Sequence, residues 1–396
     1  MSKLKDSMKT TSTIKILFCT IAYNAEKTLK AAIDSVLNQT HKNFVYYVVD
    51  NGSSDKTGEI IIEYTERDPR VRYLRNDINL IGLQALHSFF TNIDEKYDYF
   101  AMLDADDEYI PEFLEKSIAF AEKNNLDIVC CGSEIIDITT GKVGKRMSSK
   151  NIILDSKQFK HNYPNLWRSS LVSVWAHLFH FSVINSMDLA QFAAEKLANA
   201  TDIIFTHIAC QKTNRIGMLK GILHKYYHYP ISAKSTYYPN DFKSNAFLVD
   251  TCMKLLVAKC GNVSLKNEEF IYSVYMSTMA SMLRNLKNSQ LSVKEKRETI
   301  LYVLKHEHTK RAIALPGNNK SKKESFELIM EILMQSEDKT ASERQGQEND
   351  IYIALLSFYK QIFESYKEVD KLLDSKYGGL FKAIIGILYR IYYFIR

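Results

Sequence analysis

Several features that mark large protein classes are missing from this 396-residue sequence. It contains no Gly-x-Gly-x-x-Gly and no glycine loop followed by a phosphate-binding lysine, which argues against dinucleotide oxidoreductases and phosphate-loop hydrolases. Cysteine is sparse. The six residues at positions 19, 130, 131, 210, 252 and 260 have no paired spacing suited to zinc or to a disulfide framework, so they are expected as reduced, mostly buried thiols of a cytosolic protein. The polar stretch from Met1 to Thr13 has no apolar export-signal core, and nothing before the last twenty residues is apolar for long enough to span a bilayer. Charge of one sign does not dominate either. Lys and Arg total 52 against 46 Asp and Glu, an excess of six that suits a polyanionic substrate or an anionic membrane surface without demanding one. These basic residues are dispersed, with no aromatic-basic recognition module, so nucleic acid is not expected as a partner.

What is present is ample for more than one core, with 46% hydrophobic and 25% charged residues. Ile14 to Thr20, Phe44 to Val49, Val71 to Leu74, Asp98 to Leu103 and Asp127 to Cys131 read as strands. Amphipathic segments separate them, such as Ala25 to Asn38, which puts Leu29, Ile33, Val36 and Leu37 on one helical face. Strand and helix in alternation predict an α/β fold with a mostly parallel sheet covered on both faces. From about Asn240, apolar residues at helical spacing predict an all-helical region of four or five helices, with polar links at Pro316 to Lys323 and Ser336 to Asp350. The expected organisation is a polar segment over 1–13, an α/β domain over 14–238 and a helical domain over 239–396.

Ligands in such a sheet bind beyond the carboxyl ends of the strands, where Thr20, Asp50 and Asp104 should converge. The most informative run is Tyr99-Phe-Ala-Met-Leu-Asp-Ala-Asp-Asp107, an apolar strand ending in three carboxylates. Such groups repel one another unless a hard divalent cation, with phosphate behind it, sits among them. The plainer alternative is an acidic turn before the helix that Pro111 opens. Asp50-Asn-Gly-Ser-Ser-Asp55 also follows a strand and precedes a helix. A carboxylate there can meet a nucleobase or ribose, although the same residues are ordinary helix-start chemistry.

Four ordered motifs now coincide: Thr20-Ile-Ala-Tyr-Asn24, Ala32-Ile-Asp-Ser-Val-Leu-Asn-Gln-Thr40, Val48-Val-Asp-Asn-Gly-Ser-Ser-Asp55 and Leu103-Asp-Ala-Asp-Asp107. Together they resemble the family-2 glycosyltransferases, inverting enzymes with a glycosyltransferase A fold, over residues 14 to about 135 and more loosely to about 236. The resemblance implies that Thr20, Tyr23 and Asp50 line a uridine pocket and that Asn79, in Asn79-Leu-Ile-Gly-Leu-Gln-Ala85, lies over the nucleotide. It implies that Asp104 faces the ribose and donor sugar, that Asp106 holds Mn²⁺ or Mg²⁺, and that Asp107 orients the sugar or its neighbours. It implies that the base is Asp202 in Ala200-Thr-Asp202, where Thr201 replaces the family's usual glutamate; a carboxylate stabilised by the helix dipole is the alternative.

Trp175, in Trp175-Ala-His-Leu-Phe179, resembles the family's segment that shapes the acceptor site, with a core tryptophan as the alternative. His224 and His228 are spaced for zinc only on a helix, and their aromatic neighbours favour a strand. Lys234 lies in a stretch resembling a loop that closes on the diphosphate. The final segment 379–396 carries Lys382 and Arg390 on one stripe of an apolar helix, the pattern of an interfacial anchor, with packing against the bundle or a second copy as the alternative. The implied partners are a UDP-sugar donor (hexose or N-acetylhexosamine) and a cell-surface glycan, polymer or glycoprotein acceptor, with cytoplasmic placement, peripheral to the membrane's inner face. The rivals are a nucleotidyltransferase, which would need a glycine- and arginine-rich first loop that Thr20 to Asn24 does not provide, and a non-catalytic scaffold or binding protein retaining the fold.

Overall fold

A computed structural model describes residues 11–93, 95–229, 237–317 and 319–333. The chain divides into two compact units, one holding the described residues up to 229 together with Tyr238–Asn267, the other continuing from Glu268.

In the first unit β1 (Ile16–Ala22) and β2 (Phe44–Asp50) flank α1 (Leu29–Leu37), and α2 (Thr57–Arg67) leads to β3 (Val71–Arg75). Next come α3 (Leu83–Thr91), β4 (Tyr99–Met102), the short β5 (Glu108–Tyr109) and α4 (Phe113–Asn124). β6 (Ile128–Asp137) turns into β7 (Val143–Arg146), followed by β8 (Ile152–Leu154), α5 (Ser156–Leu166) and β9 (His177–His180). The short α6 (Phe181–Asn185) and α7 (Leu189–Ala194) precede α8 (Thr201–Gln211), β10 (Ile216–His228) and α9 (Asp241–Cys260).

The sheet runs β3-β2-β1-β4-β9-β6-β10-β5, with β7 paired to β6 and β8 to β10. The first four strands in that order are parallel, as the continuous apolar runs of β1 and β4 require of strands buried on both faces. The α/β fold is the expected one, with an addition the sequence reading did not contain. β9 enters antiparallel between β4 and β6, so those two parallel-type strands are not neighbours. The core beneath is built on Phe18, which meets Phe44, Tyr46, Tyr109 and Phe113. α9 lies against the α8 side of this unit: Ser244 Oγ accepts from the Ala198 N–H at 2.8 Å, and Asn199 donates to Asp241 at 2.7 Å. Five of the six cysteines are buried and all six are free thiols.

The second unit is helical, as expected: α10 (Leu265–Asn288, its first turn in the first unit), α11 (Val293–Lys305), α12 (Glu307–Ala314) and α13 (Asn319–Leu333). The link read at Pro316 to Lys323 is shorter than expected, because α13 starts at Asn319. Lys322, polar in the sequence, is buried there and its ammonium caps the end of α12, donating to the carbonyls of Ile313 (3.1 Å) and Leu315. Ser336 to Asp350 and the segment 379–396, expected as a link and a helix, lie outside the described residues. Among the described residues no helix is long and apolar enough to cross a membrane.

Candidate active site

The site is assembled from loops at the carboxyl ends of β1, β2, β3 and β4. At the end of β2 the fully buried Asp50 carboxylate accepts the Ser53 N–H at 2.8 Å and pairs with the guanidinium of Arg75, its cross-strand partner on β3. Tyr73 O–H adds a longer contact at 3.4 Å. Asn51 then organises the loop after β3. Its amide donates to Asn79 Oδ1 and the Leu80 carbonyl, both at 2.8 Å, while its oxygen accepts from Asn76 at 2.8 Å and from the Leu80 N–H at 3.2 Å. Gly52, at φ +79°, lets the two loops touch, because a Cβ there would lie 2.7 Å from the Ile78 carbonyl carbon.

Thr20 sits on β1 rather than past it, fully buried. Its hydroxyl donates to the Leu103 carbonyl at 2.8 Å, so the Tyr46 hydroxyl 2.8 Å away must donate to it, and the group ties β1 to its neighbours. Tyr23 is exposed at the mouth of the site. Ile78 and Ile81, on the loop Asn51 holds, are exposed as well.

Beyond β4 the three carboxylates of Asp104, Asp106 and Asp107 bring oxygens within 4.8 Å of one another. Asp106 is exposed, Asp104 half-buried and Asp107 buried. Burial, followed by the negative charges of Asp202, Asp107 and Asp106, pushes the Asp104 carboxyl well above the usual range. Desolvation also raises Asp106, against an opposing contribution from His224. Asp107 is pushed up to about 8, chiefly by burial and then by Asp106 and Glu108, while the Tyr227 N–H and Arg146 oppose the rise. A hard divalent cation fits this donor set, since clustered carboxylate oxygens that otherwise retain protons are what such an ion binds and deprotonates.

Asp202, in the first turn of α8, is near enough to Asp104 to perturb it. The preceding Thr201 is pressed against Gly82, the residue before α3: a Cβ on Gly82 would lie 2.4, 2.6 and 2.7 Å from Thr201 Cγ2, Oγ1 and Cβ. The loop held by Asn51 therefore abuts the start of the helix that carries Asp202.

Behind the acidic turn lies a buried polar layer. Asp107 Oδ1 accepts the Tyr227 N–H at 2.9 Å, and its Oδ2 lies 3.3 Å from His224 Nε2 without hydrogen-bond alignment. Burial drives His224 down to about 3, with the Arg146 charge adding to the shift. Trp175 stacks on both His224 (4.6 Å between centroids) and Tyr226 (5.2 Å), and the Arg146 guanidinium lies 4.5 Å from its ring. Only 6% of Trp175 is exposed.

The structure thus gathers Asp104, Asp106, Asp107 and Asp202, and brings Asn79 to the same loop assembly. The Asp50 carboxylate is already engaged by Arg75, and Trp175 is a buried wall behind the acidic turn. Lys234 lies outside the described residues. Arg75 and Arg146 are site residues that no motif in the sequence singles out. Arg75 had a signal, since it ends the strand adjacent to the one ended by Asp50; Arg146 had none, being one basic residue among several in a polar hairpin.

The model of the family described as Glycosyl transferase family 2 matches residues 18–187. An uncharacterized glycosyltransferase of Methanocaldococcus jannaschii is 43% identical over 104 residues, 26% of this chain and 35% of that protein. The Escherichia coli UDP-Glc:alpha-D-GlcNAc-diphosphoundecaprenol beta-1,3-glucosyltransferase WfgD is 34% identical over 131 residues, 33% of this chain and half of that protein. The chain thus spans half or less of the length of either curated relative. Among solved structures, residues 1–349 of S. aureus TarS in complex with UDP-GlcNAc superpose with a TM-score of 0.54 at 16% identity, covering 84% of this chain and 93% of that one. The same TarS segment in complex with UDP gives 0.52 at 14% identity, covering 88% and 92%.

Proposed function

Because residues 18–187 form a glycosyl transferase family 2 domain, we propose that the protein transfers a sugar from a UDP-sugar, a hexose or N-acetylhexosamine, to a hydroxyl of a cell-surface glycan, polymer or glycoprotein, with inversion. The observation that carries this reading is the meeting of Asp202 with the Asp104–Asp106–Asp107 cluster beside the loop that Asn51 organises. The TarS complexes with UDP and UDP-GlcNAc support the choice of donor.

In this reading Tyr23, Asp50 and Asn79 border the nucleoside, and Thr20 holds the pocket floor from within the sheet. Asp104 faces the ribose and donor sugar. Asp106, the exposed carboxylate, would hold Mn²⁺ or Mg²⁺, with Asp104 and Asp107 close by. A bound divalent cation would offset the charge that develops on the departing diphosphate. Asp202 takes the proton from the attacking hydroxyl. Asp107 fixes the acidic turn to β10, and Trp175 backs the acceptor side. Lys234 would supply a positive charge for the diphosphate. The domain over 14–238 does the chemistry and the helical region beyond it is accessory. The segment 379–396 holds the protein peripherally on the inner membrane face or pairs with a second copy.

Isothermal titration with UDP, GDP and CDP, each with and without Mn²⁺, tests the core of the proposal. Metal-dependent binding of UDP is expected. No binding in any pair would overturn it in favour of a non-catalytic scaffold that keeps the fold.

A further inference from the structure

The transferase reading leaves one strong cation unused. Arg146 ends β7, and its half-buried guanidinium lies 4.5 Å from the Trp175 ring. A guanidinium carries five N–H donors. Among the described residues none of those donors has a hydrogen-bond acceptor and no carboxylate lies within ion-pair distance, the Asp107 charge acting on it only at longer range. Burial lowers its affinity for a proton, which reports the cost of keeping this charge out of water. A ring face returns only a small part of that cost. A group that brings oxygens to the guanidinium would return much more.

The position is built into the sheet. Arg146 pairs across to Ser133 on β6, and Ser133 pairs across to His224 on β10. Residues in cross-strand register share a face, so the three side chains form a row leading from the sheet edge to His224, which meets Asp107. Ser133 Oγ and His224 Nδ1 are 3.2 Å apart along this row. His224 Nε2 and Asp107 Oδ2, at its inner end, are buried without hydrogen-bond partners. The strand order sets β2 and β3, which carry Asp50 and Arg75, toward one end of the sheet and β6 with β7 toward the other. The acidic turn after β4 lies between. Lys142, Lys145, Lys150 and Lys220, on β7, β10 and the adjoining loops, are exposed, and none has an ion-pair partner among the described residues.

We infer that Arg146, seated on Trp175, is an oxyanion subsite on the acceptor side, and that the acceptor is a saccharide or polymer bearing phosphate or carboxylate groups. The inference rests on the transferase reading above and deepens it. The exposed lysines raise the local concentration of such an acceptor, while the guanidinium fixes one of its anionic groups by paired N–H···O bonds. The same chemistry could come from the donor's diphosphate, and the test separates the two sources.

Tryptophan fluorescence of the full chain is titrated with inorganic phosphate and with glucuronate, and UDP binding with Mn²⁺ is measured by calorimetry in parallel. Wild-type protein should give a saturable response to at least one anion that weakens with added salt. Trp175→Phe should lose the signal, Arg146→Met should weaken the anion at least about tenfold, and Arg146→Lys should fall between. UDP affinity should stay within about twofold in Arg146→Met, which also shows that the variant is folded. A response of the bound anion unchanged in Arg146→Met, or no response to either anion while UDP binds, would overturn the subsite. A tenfold loss of UDP affinity in Arg146→Met would assign the guanidinium to the donor and overturn the acceptor assignment. Failure of UDP to bind wild-type protein, with the anion response intact, would instead remove the transferase reading and leave the oxyanion site standing.

Discussion

Replacing Gly82 by alanine should damage catalysis far more than donor binding. Two physical costs coincide there. Gly82 has φ +51° and ψ −115°, a conformation that costs a residue with a Cβ roughly 1–3 kcal/mol. The added carbon would also lie 2.4 Å from Thr201 Cγ2, whereas ordinary contacts start at 3.4 Å. The deficit is 3.4 − 2.4 = 1.0 Å, so the first turn of α8 must retreat by about that much. Asp202 is the next residue and moves with it. A misplacement of ~1 Å in a reacting group can cost about 10²-fold in rate. We therefore expect the turnover of Gly82→Ala, followed as UDP release, to fall by roughly that factor with UDP affinity changed only a few-fold. Thr201→Gly in the same protein removes every Thr201 atom in the clash, and should restore much of the rate while leaving the backbone cost visible as a lower melting temperature. Thr201→Gly alone supplies the control, since glycine near a helix start carries its own cost of up to ~1 kcal/mol. Wild-type turnover in Gly82→Ala, or a double variant no better than the single, would refute the idea that this contact positions Asp202.

Two further outcomes follow from the carboxylates. Asp202→Asn should slow transfer by ~10²-fold or more while UDP affinity is retained, as for loss of a general base; an unchanged rate in a transfer assay would remove that role. Asp107 has its folded pKa raised to about 8, so its favourable contribution is full below the ordinary Asp value near 4 and is lost as pH rises through about 8. In thermal scans the metal-free protein should accordingly lose this contribution between about pH 5 and 8, Mg²⁺ should stabilise it more at pH 8 than at pH 6, and Asp107→Asn should flatten the slope. A pH dependence identical in Asp107→Asn and wild type would contradict the assignment.

β2 and β4 were legible because each is a largely buried apolar segment that stops at a carboxylate, whereas β3 is half exposed and carries two arginines. Phe44 to Val49 ends at Asp50 and Tyr99 to Leu103 at Asp104, and the structure moves the ends by only a few residues. The acidic cluster was legible for the same reason, since three carboxylates after a buried strand have few alternatives. Distant pairings left weaker traces. His177–His180 carries no period that distinguishes a strand from the aromatic segments around it, and its place is fixed by two partners far away in sequence. The burial of Trp175 depends on Tyr226, His224 and Arg146, which only the folded sheet brings to it. The engagement of Asp50 by Arg75 depends on the register of β2 with β3, which composition does not set.

The seat of β9 also bears on how the polypeptide reaches its fold. β4 and β6 leave between them a slot one strand wide, and the strand that fills it is made after both of them. Until residues 177–180 arrive, each flanking strand offers a row of unpaired amides and carbonyls, the kind of edge on which chains associate with one another. A nascent chain or fragment ending before that point has the motifs that identify the family and still lacks the keystone of its own sheet. The smallest piece able to close that slot must therefore extend beyond His180, and folding must wait for a long-range, low-probability loop closure instead of proceeding strand by strand from the N-terminus.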